Sequence, residues 1–84
     1  MFCTYILESP GGDWYYGHCS EIARRLYQHN TGQNKSTRNK GPWRVIFLKY
    51  FDTNLEANRF ELYLKKLRNK KFIYEKYKDY FLDA

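Results

Sequence analysis

Five residues spread along this chain carry the side chains that metal-assisted cleavage of a phosphodiester needs. They are Tyr5, Tyr15, Arg25, His29 and Glu61. A guanidinium can hold a phosphate through two parallel hydrogen bonds, and a histidine can exchange a proton with a phenol. A single carboxylate can hold Mg²⁺, because such sites often leave the other positions to waters and substrate phosphate. These five residues are therefore the candidate active-site groups.

Tyr5 and Tyr15 fall on neighbouring strands of a predicted hairpin, so their side chains could project from one face. A phenol has a pKa of about 10, and its use as a base requires a nearby cation that lowers this pKa. Arg25, His29 and a bound metal ion could supply that field. The alternative role for the two tyrosines is cross-strand aromatic packing.

Arg25 and His29 lie four residues apart in a segment with helical periodicity. Residues at this spacing share one face of a helix, and here that face adjoins the apolar stripe of Ile22 and Leu26. We expect both side chains at the rim of the core. The alternative is a solvated helix on which Arg25 pairs with Glu21 and His29 lies at the surface.

Glu61 follows Ala57 by four residues, so its carboxylate should lie at the edge of the buried face of a second helix. There it could bind a divalent metal ion. The alternative is an exposed ion pair with Lys65, four residues later, worth roughly 0.2–0.5 kcal/mol.

The charge balance favours a polyanionic partner, and nucleic acid is the first expectation. The chain has 84 residues, with 15 Lys and Arg against nine Asp and Glu, and a formal net charge of +6. The densest basic run covers residues 65–71. A solvated charged face, or a surface for an acidic protein, is the alternative. The candidate nucleic-acid-binding residues are Lys35, Arg38, Lys40, Arg44, Lys65, Lys66, Arg68, Lys70 and Lys71.

The hydrophobic pattern predicts the element order ββαβαα in a single domain over residues 1–84. A strand over residues 2–7 precedes a glycine-rich turn and a second strand from Trp14. Helices are predicted over residues 21–30 and from Thr53 to about Asn69, and a strand over residues 43–51 separates them. A shorter third helix should place Tyr74, Tyr77, Tyr80 and Phe81 on one side.

Three local signals refine this order. Ser20 can cap the first helix, and the pair of Thr53 and Glu56 can form a capping box for the second. Residues 33–42 contain no large apolar side chain and should run over the surface as a mobile loop. Residues 43–51 are too apolar for an edge and predict a central strand.

Cys3 and Cys19 have neither the number of a disulfide framework nor the spacing of a zinc site. Reduced thiols in a cytoplasmic protein are the expectation. No run of apolar residues reaches transmembrane length, so we expect no membrane association.

The ordered set of motifs resembles the GIY-YIG nuclease family, in particular small stand-alone bacterial members related to the N-terminal domain of the excision-repair incision nuclease. Thr4-Tyr5-Ile6 stands at the GIY triplet and Tyr15-Tyr16-Gly17 at YIG. Residues 22–26 resemble the helix that carries the family arginine, and residues 28–30 resemble the histidine segment. Residues 57–65 resemble the helix that carries the metal glutamate.

The resemblance implies a compact α/β (α+β) domain in which helices flank a three-stranded antiparallel sheet. It also implies metal-dependent cleavage of DNA, with a connection to DNA repair. In the family mechanism Glu61 would hold one Mg²⁺ or Mn²⁺. Tyr5 would act as general base or position the attacking water, and Tyr15 would support Tyr5 and the phosphate. Arg25 would clamp the phosphate and His29 would tune Tyr5. No small-molecule cofactor is implied, and a homodimer or a protein partner could supply specificity.

The chain departs from the family pattern at two positions. Many members have a lysine directly after the YIG glycine, where this chain has His18. Many also have an asparagine about a dozen residues after the metal glutamate, where this chain has Ile73 and only a displaced candidate, Asn69. These departures bear on catalysis more than on fold, so a basic nucleic-acid-binding module that cuts no bond remains the alternative.

Overall fold

The computed structural model describes residues 1–82 and has the predicted element order. None of the helices in this part of the chain is long and apolar enough to cross a membrane. The elements are β1 (Phe2–Glu8), β2 (Trp14–Cys19), α1 (Ile22–Asn30), β3 (Arg44–Phe51), α2 (Asn54–Leu67), α3 (Lys70–Lys76) and a 3₁₀ helix (Lys78–Tyr80).

The three strands form one antiparallel sheet in the order β2-β1-β3. The predicted three-stranded antiparallel sheet is therefore confirmed, but the prediction that residues 43–51 form its central strand is wrong. β3 tolerates its apolar sequence at an edge because the C-terminal segment covers part of it. Phe81 forms an isolated bridge with Phe47, and the Leu82 N–H donates to the Ile46 carbonyl at 2.8 Å.

Strand β1 is buried on both sides of the sheet. Its side chains alternate between two hydrophobic clusters, as the pleat of a strand requires. Cys3, Tyr5 and Leu7 pack on the side of α1, whereas Ile6 packs with residues of α2 and α3 such as Leu64. The candidate site is therefore built around the central strand.

Helix α2 begins as predicted. The Thr53 hydroxyl oxygen accepts from the Glu56 N–H at 3.2 Å and donates to the Glu56 carboxylate at 3.0 Å. The predicted Ser20 cap of α1 is wrong, because Glu21 is the N-cap residue and makes no capping hydrogen bond with its side chain. Gly32 follows the end of α1 with a φ of 77°, a conformation that favours glycine.

Helix α3 ends at Lys76, so the prediction that it carries Tyr77, Tyr80 and Phe81 along one side is wrong. Ile73 is its fully buried residue, whereas Tyr74 is 47% exposed and Tyr80 is 39% exposed. Tyr77 and Phe81 are partly buried against the same cluster. Of the residues of α3, Ile73 is therefore the one that contributes to the core.

The sequence predicted that the segment between α1 and β3 runs over the surface. In the structure, part of this segment is buried. Thr37 is 1% exposed, and its carbonyl accepts from the Trp43 Nε1–H at 3.0 Å. The Asn30 side chain bridges to the same end of the segment, because its Oδ1 accepts from the Trp43 N–H at 2.6 Å. The buried Trp43 and its hydrogen bonds with Asn30 and Thr37 therefore hold this segment against the rest of the domain.

Gly17 lies directly opposite Tyr5 in the β1–β2 register. The Tyr5 ring crosses over Gly17 and occupies the space where another residue would place a side chain. A Cβ at position 17 would lie 2.5 Å from Tyr5 Cζ and would overlap the phenol oxygen. Both atoms belong to the Tyr5 side chain, which is buried in the hydrophobic cluster on the side of α1.

We expect Gly17→Ala to lower the free energy of unfolding by about 1–3 kcal/mol, because it overpacks the core and displaces Tyr5. Chemical denaturation measures the change. Gly11→Ala is the matched control, because a Cβ there meets only Ser9 Oγ at 3.8 Å, and its effect should stay within about 0.5 kcal/mol. Equal stability of the two variants would contradict this account of Gly17.

Candidate active site

A buried hydrogen-bonded chain connects β1, α1 and the following segment. The Tyr5 hydroxyl lies 3.1 Å from His29 Nε2, and His29 Nδ1 lies 2.8 Å from Thr37 Oγ1. The three side chains are 1–2% exposed. His29 is therefore not the surface residue of the alternative interpretation. Thr37 was missed in the sequence, since a lone threonine in a polar segment gives no periodic signal.

Burial dominates the pKa of Tyr5 and raises it above its ordinary value. The charge of Arg25 lowers this pKa, but less than burial raises it. The neighbouring Tyr15, Cys19 and Glu61 also raise it. Without a metal ion, Arg25 therefore does not make Tyr5 acidic, and the phenol is protonated at neutral pH.

The pKa of His29 moves down, first because burial disfavours the imidazolium and then because Arg25 is nearby. A neutral imidazole thus faces a neutral phenol at pH 7. This arrangement can move a proton only when a new charge enters the site.

Tyr15 lies beside this chain on the same face of the sheet. Its ring centroid is 6.5 Å from that of Tyr5, with the planes inclined by 30°, and 4.7 Å from that of His29. The Asn34 amide donates to the Tyr15 hydroxyl at 3.5 Å. Tyr15 is paired with Leu7 in the β1–β2 register, so it lies diagonally across from Tyr5.

Arg25 is half-buried on α1, one turn before His29. It does not pair with Glu21, whose backbone carbonyl alone accepts from the Arg25 N–H at 3.2 Å. Within residues 1–82 no carboxylate forms an ion pair with its guanidinium. Arg25 and His29 line a small groove with Gln28, Gln33 and Asn34. The guanidinium is therefore available for an external anion.

Glu61 is 8% exposed on α2, and both of its carboxylate oxygens have cationic or protonatable partners. Oε1 lies 2.6 Å from His18 Nδ1, and Oε2 lies 2.6 Å from Lys65 Nζ. The ion pair with Lys65 does form, but around a buried carboxylate rather than an exposed one. His18 reaches Glu61 because it shares the α2 face of the sheet with Thr4, its partner in the register.

Glu61 fits a metal ion whose remaining ligands come from water and from the substrate. Within the described part of the chain, no three His, Cys, Asp or Glu side chains converge. A dedicated protein cage is therefore absent from residues 1–82. One half-enclosed carboxylate suits an ion such as Mg²⁺, which keeps waters and takes phosphate oxygens as further ligands.

Ile73, which occupies the place of the family asparagine, and Asn69, the displaced candidate for it, both have structural roles. Ile73 is fully buried in the core of α2 and α3. Asn69 is the N-cap of α3, and its Oδ1 accepts from the Phe72 N–H at 3.0 Å. Neither residue adds a ligand beside Glu61.

The predicted basic residues form no single uniform surface. Lys40, Arg68 and Lys70 line one groove with aromatic side chains that include Tyr15. Lys70 there donates to the Gly12 carbonyl at 2.7 Å and lies 5.2 Å from the Trp14 ring centroid.

Other members of the basic set have protein partners. Arg44 pairs with Glu8 at 2.6 Å, and Arg38 Nε donates to the Gly32 carbonyl at 3.2 Å. Lys65 pairs with Glu61, as described above. The remaining cations, Lys35, Lys66 and Lys71, are exposed. The groove of Lys40, Arg68 and Lys70 is thus the part of the set that adjoins the tyrosines.

Cys3 and Cys19 are unbridged thiols opposite each other on β1 and β2, with 3.7 Å between their sulfurs. The hydrogen bond with Cys3 lowers the pKa of Cys19 to about 7, and Arg25 adds to that effect. The same hydrogen bond, together with burial, raises the pKa of Cys3.

The chain is similar to a known catalytic domain and to bacterial proteins of about its own size. A model of the GIY-YIG catalytic domain matches residues 1–78. The UPF0213 protein BH0048 of Halalkalibacterium halodurans is 38% identical over 69 residues, which cover 81% of this chain and 73% of that protein. The UPF0213 protein SAG0778 of Streptococcus agalactiae is 38% identical over 74 residues, which cover 86% and 84% of the two chains.

A solved structure agrees with the fold. The solution NMR structure of the UPF0213 protein BH0048 from Bacillus halodurans matches with a TM-score of 0.52 and 37% sequence identity. The match covers 84% of this chain and 78% of that chain.

The lowered pKa of His29 predicts a loss of stability on mild acidification. Between the folded-state pKa and the unfolded value near 6.5, the unfolded chain binds a proton that the folded protein does not. The free energy of unfolding should therefore fall as the pH drops below 6.5. Urea denaturation across this range measures the slope. His29→Gln should reduce it, and an unchanged slope in that variant would contradict the assignment.

The lowered pKa of Cys19 predicts selective alkylation. At pH 7 and limiting iodoacetamide, Cys19 should react before Cys3, because it has the larger thiolate fraction and the greater exposure, 7% against 2%. Mass spectrometry of proteolytic fragments gives the two rates. In denaturant the two thiols should react alike, and faster modification of Cys3 in the folded protein would refute the prediction.

Proposed function

The chain belongs to the GIY-YIG family, and on that premise we propose that it is a divalent-metal-dependent endonuclease that hydrolyses phosphodiester bonds in DNA. The observation that carries the proposal is the convergence of Tyr5, Tyr15 and His29 on one face of the sheet, beside an arginine that has no carboxylate partner within residues 1–82. An arginine that pairs with no protein anion beside buried proton-exchanging groups is suited to a phosphate ester.

Each residue has a role that follows from its position. Arg25 binds the phosphate next to the scissile bond through its guanidinium. Tyr5 receives a proton from the attacking water while its own proton passes to His29 Nε2, 3.1 Å away. Tyr15 packs against both rings and keeps bulk water from them.

Glu61 is the proposed metal ligand, with Mg²⁺ or Mn²⁺ as the ion. When bound, such an ion neutralises charge on the phosphate and stabilises the leaving oxygen. Ion binding requires that Glu61 exchange at least part of its contact with His18 or Lys65. Lys65 then becomes available to the DNA backbone.

We propose further that DNA follows the groove of Lys40, Arg68 and Lys70 toward Tyr15. Lys35, Arg38, Arg44, Lys66 and Lys71 contribute charge at longer range. A protomer with one Glu61 cuts one strand at a time, so a double-strand break needs a second copy or successive nicks. The two free thiols support a reducing, cytoplasmic setting.

A second candidate function is a nucleic-acid-binding module that cuts no bond. The occupied carboxylate of Glu61 and the raised pKa of Tyr5 favour it. Its signature is salt-sensitive DNA binding that needs no divalent ion.

The deciding experiment incubates the wild type with labelled single-stranded, duplex, flapped and branched DNA in Mg²⁺, Mn²⁺ or EDTA. We expect metal-dependent cleavage that falls at least about 100-fold in Glu61→Gln and in Arg25→Ala, because each removes a charge that acts on the phosphate. Glu61→Gln keeps the side-chain volume in its buried position.

Glu75→Gln is the matched control, because it removes an exposed carboxylate from α3 and should leave the rate unchanged. Cleavage by Glu61→Gln at the wild-type rate would refute the metal assignment. DNA that every protein binds and leaves intact in every condition would support the binding module instead.

A further inference from the structure

We propose that Thr37 is a positioning residue that holds His29 in the tautomer with its proton on Nδ1, so that Nε2 is free to accept the proton of Tyr5. The hydrogen-bonding part of this proposal stands on geometry alone. Its consequence for catalysis rests on the proposed nuclease function.

Both nitrogens of the buried His29 ring have protein partners. Nε2 faces the Tyr5 hydroxyl at 3.1 Å, and Nδ1 faces Thr37 Oγ1 at 2.8 Å. A neutral imidazole carries one proton and one lone pair, so the two contacts must run in the same direction around the ring. Either Tyr5 donates to Nε2 and Nδ1 donates to Thr37, or both bonds are reversed.

The two ends of the chain select the first arrangement. Thr37 Oγ1 lies 3.5 Å from the Asn34 carbonyl, which accepts a proton and cannot donate one. The Thr37 hydroxyl proton is therefore directed to Asn34, and its oxygen accepts from His29 Nδ1. Within residues 1–82 the Tyr5 hydroxyl has no hydrogen-bond partner other than His29, so the reversed arrangement would leave its buried proton without an acceptor.

Thr37 is itself held from several directions. Its carbonyl accepts from the Trp43 indole N–H at 3.0 Å, and its N–H donates to the Asn34 carbonyl at 3.3 Å. Asn34 also donates to the Tyr15 hydroxyl at 3.5 Å. The segment after α1 thus acts as a support that orients the histidine from the side opposite Tyr5.

The tautomer determines the direction of proton transfer. With a lone pair on Nε2, the Tyr5 oxygen can take a proton from water while the phenol proton moves to His29. Hydroxide then forms the new bond to phosphorus as the bond from phosphorus to the leaving ester oxygen breaks, and that oxygen takes a proton from solvent. The imidazolium, with Nδ1–H still held by Thr37, keeps the proton that came from Tyr5 until it is released to solvent. With the proton on Nε2 instead, His29 has no lone pair facing Tyr5 and this transfer stops.

The test compares Thr37→Val, which keeps the shape and removes the hydroxyl, with Thr37→Ser, which keeps the hydroxyl. ¹⁵N NMR of the imidazole reports the tautomer without any need for activity. We expect the Nδ1–H form in the wild type and in Thr37→Ser, and a mixture with the Nε2–H form in Thr37→Val. Thr31→Val is the control, because Thr31 lies in the same segment, is exposed and bonds only to neighbouring groups.

On a DNA substrate that the wild type cuts, Thr37→Val should lower the cleavage rate about tenfold or more. The reason is that His29 would no longer be held in the tautomer that accepts the proton of Tyr5. Thr37→Ser should stay within about threefold of the wild type, since the hydroxyl is kept. An Nε2–H tautomer in the wild type overturns the proposal, and so does a Thr37→Val spectrum identical to the wild type. The wild-type spectrum decides the first point even where Thr37→Val fails to fold or no DNA is cut.

Discussion

The site depends on the contact between the Tyr5 ring and the backbone of Gly17, which lies opposite it on β2. Because position 17 has no side chain, the phenol lies flat across β2 and reaches the first helix. Its hydroxyl there contacts His29, which in turn contacts Thr37. A side chain at position 17 would separate β1 from the other two elements that form the site. Glycine at position 17 therefore leaves the room that Tyr5 needs to form its hydrogen bond with His29.

Desolvation governs the electrostatics of this chain of side chains. Burial moves the pKa of Tyr5 up and that of His29 down, so both groups are neutral around pH 7. Two neutral groups that are hydrogen-bonded to each other have a smaller desolvation cost on burial than a charged group has. Glu61 follows another rule, because its buried carboxylate pairs with Lys65 through one oxygen and contacts His18 Nδ1 through the other. The charge of Glu61 raises the pKa of Tyr5, so the two parts of the site lie within electrostatic reach of each other.

Periodic patterns in the sequence predicted the elements, the capping box at Thr53 and the position of His29 beside the apolar stripe of the first helix. The link between His29 and Tyr5 came from the family resemblance. The patterns failed where a tertiary contact replaced a local signal. The apolar sequence of β3 suggested a central strand, since no pattern announces that Phe81 will cover an edge. Thr37 was missed because its burial comes from hydrogen bonds to groups that are distant in sequence. The roles of the five candidate residues in catalysis remain predictions.

The cover on β3 also has a consequence for biosynthesis. The bridge between Phe47 and Phe81 and the bond from Leu82 join residues that leave the ribosome far apart in time. Until residues 81 and 82 emerge, the nascent chain presents a bare, apolar strand edge of the kind that pairs with other chains. Synthesis of residues 81 and 82 is thus the step that allows this edge of β3 to be covered.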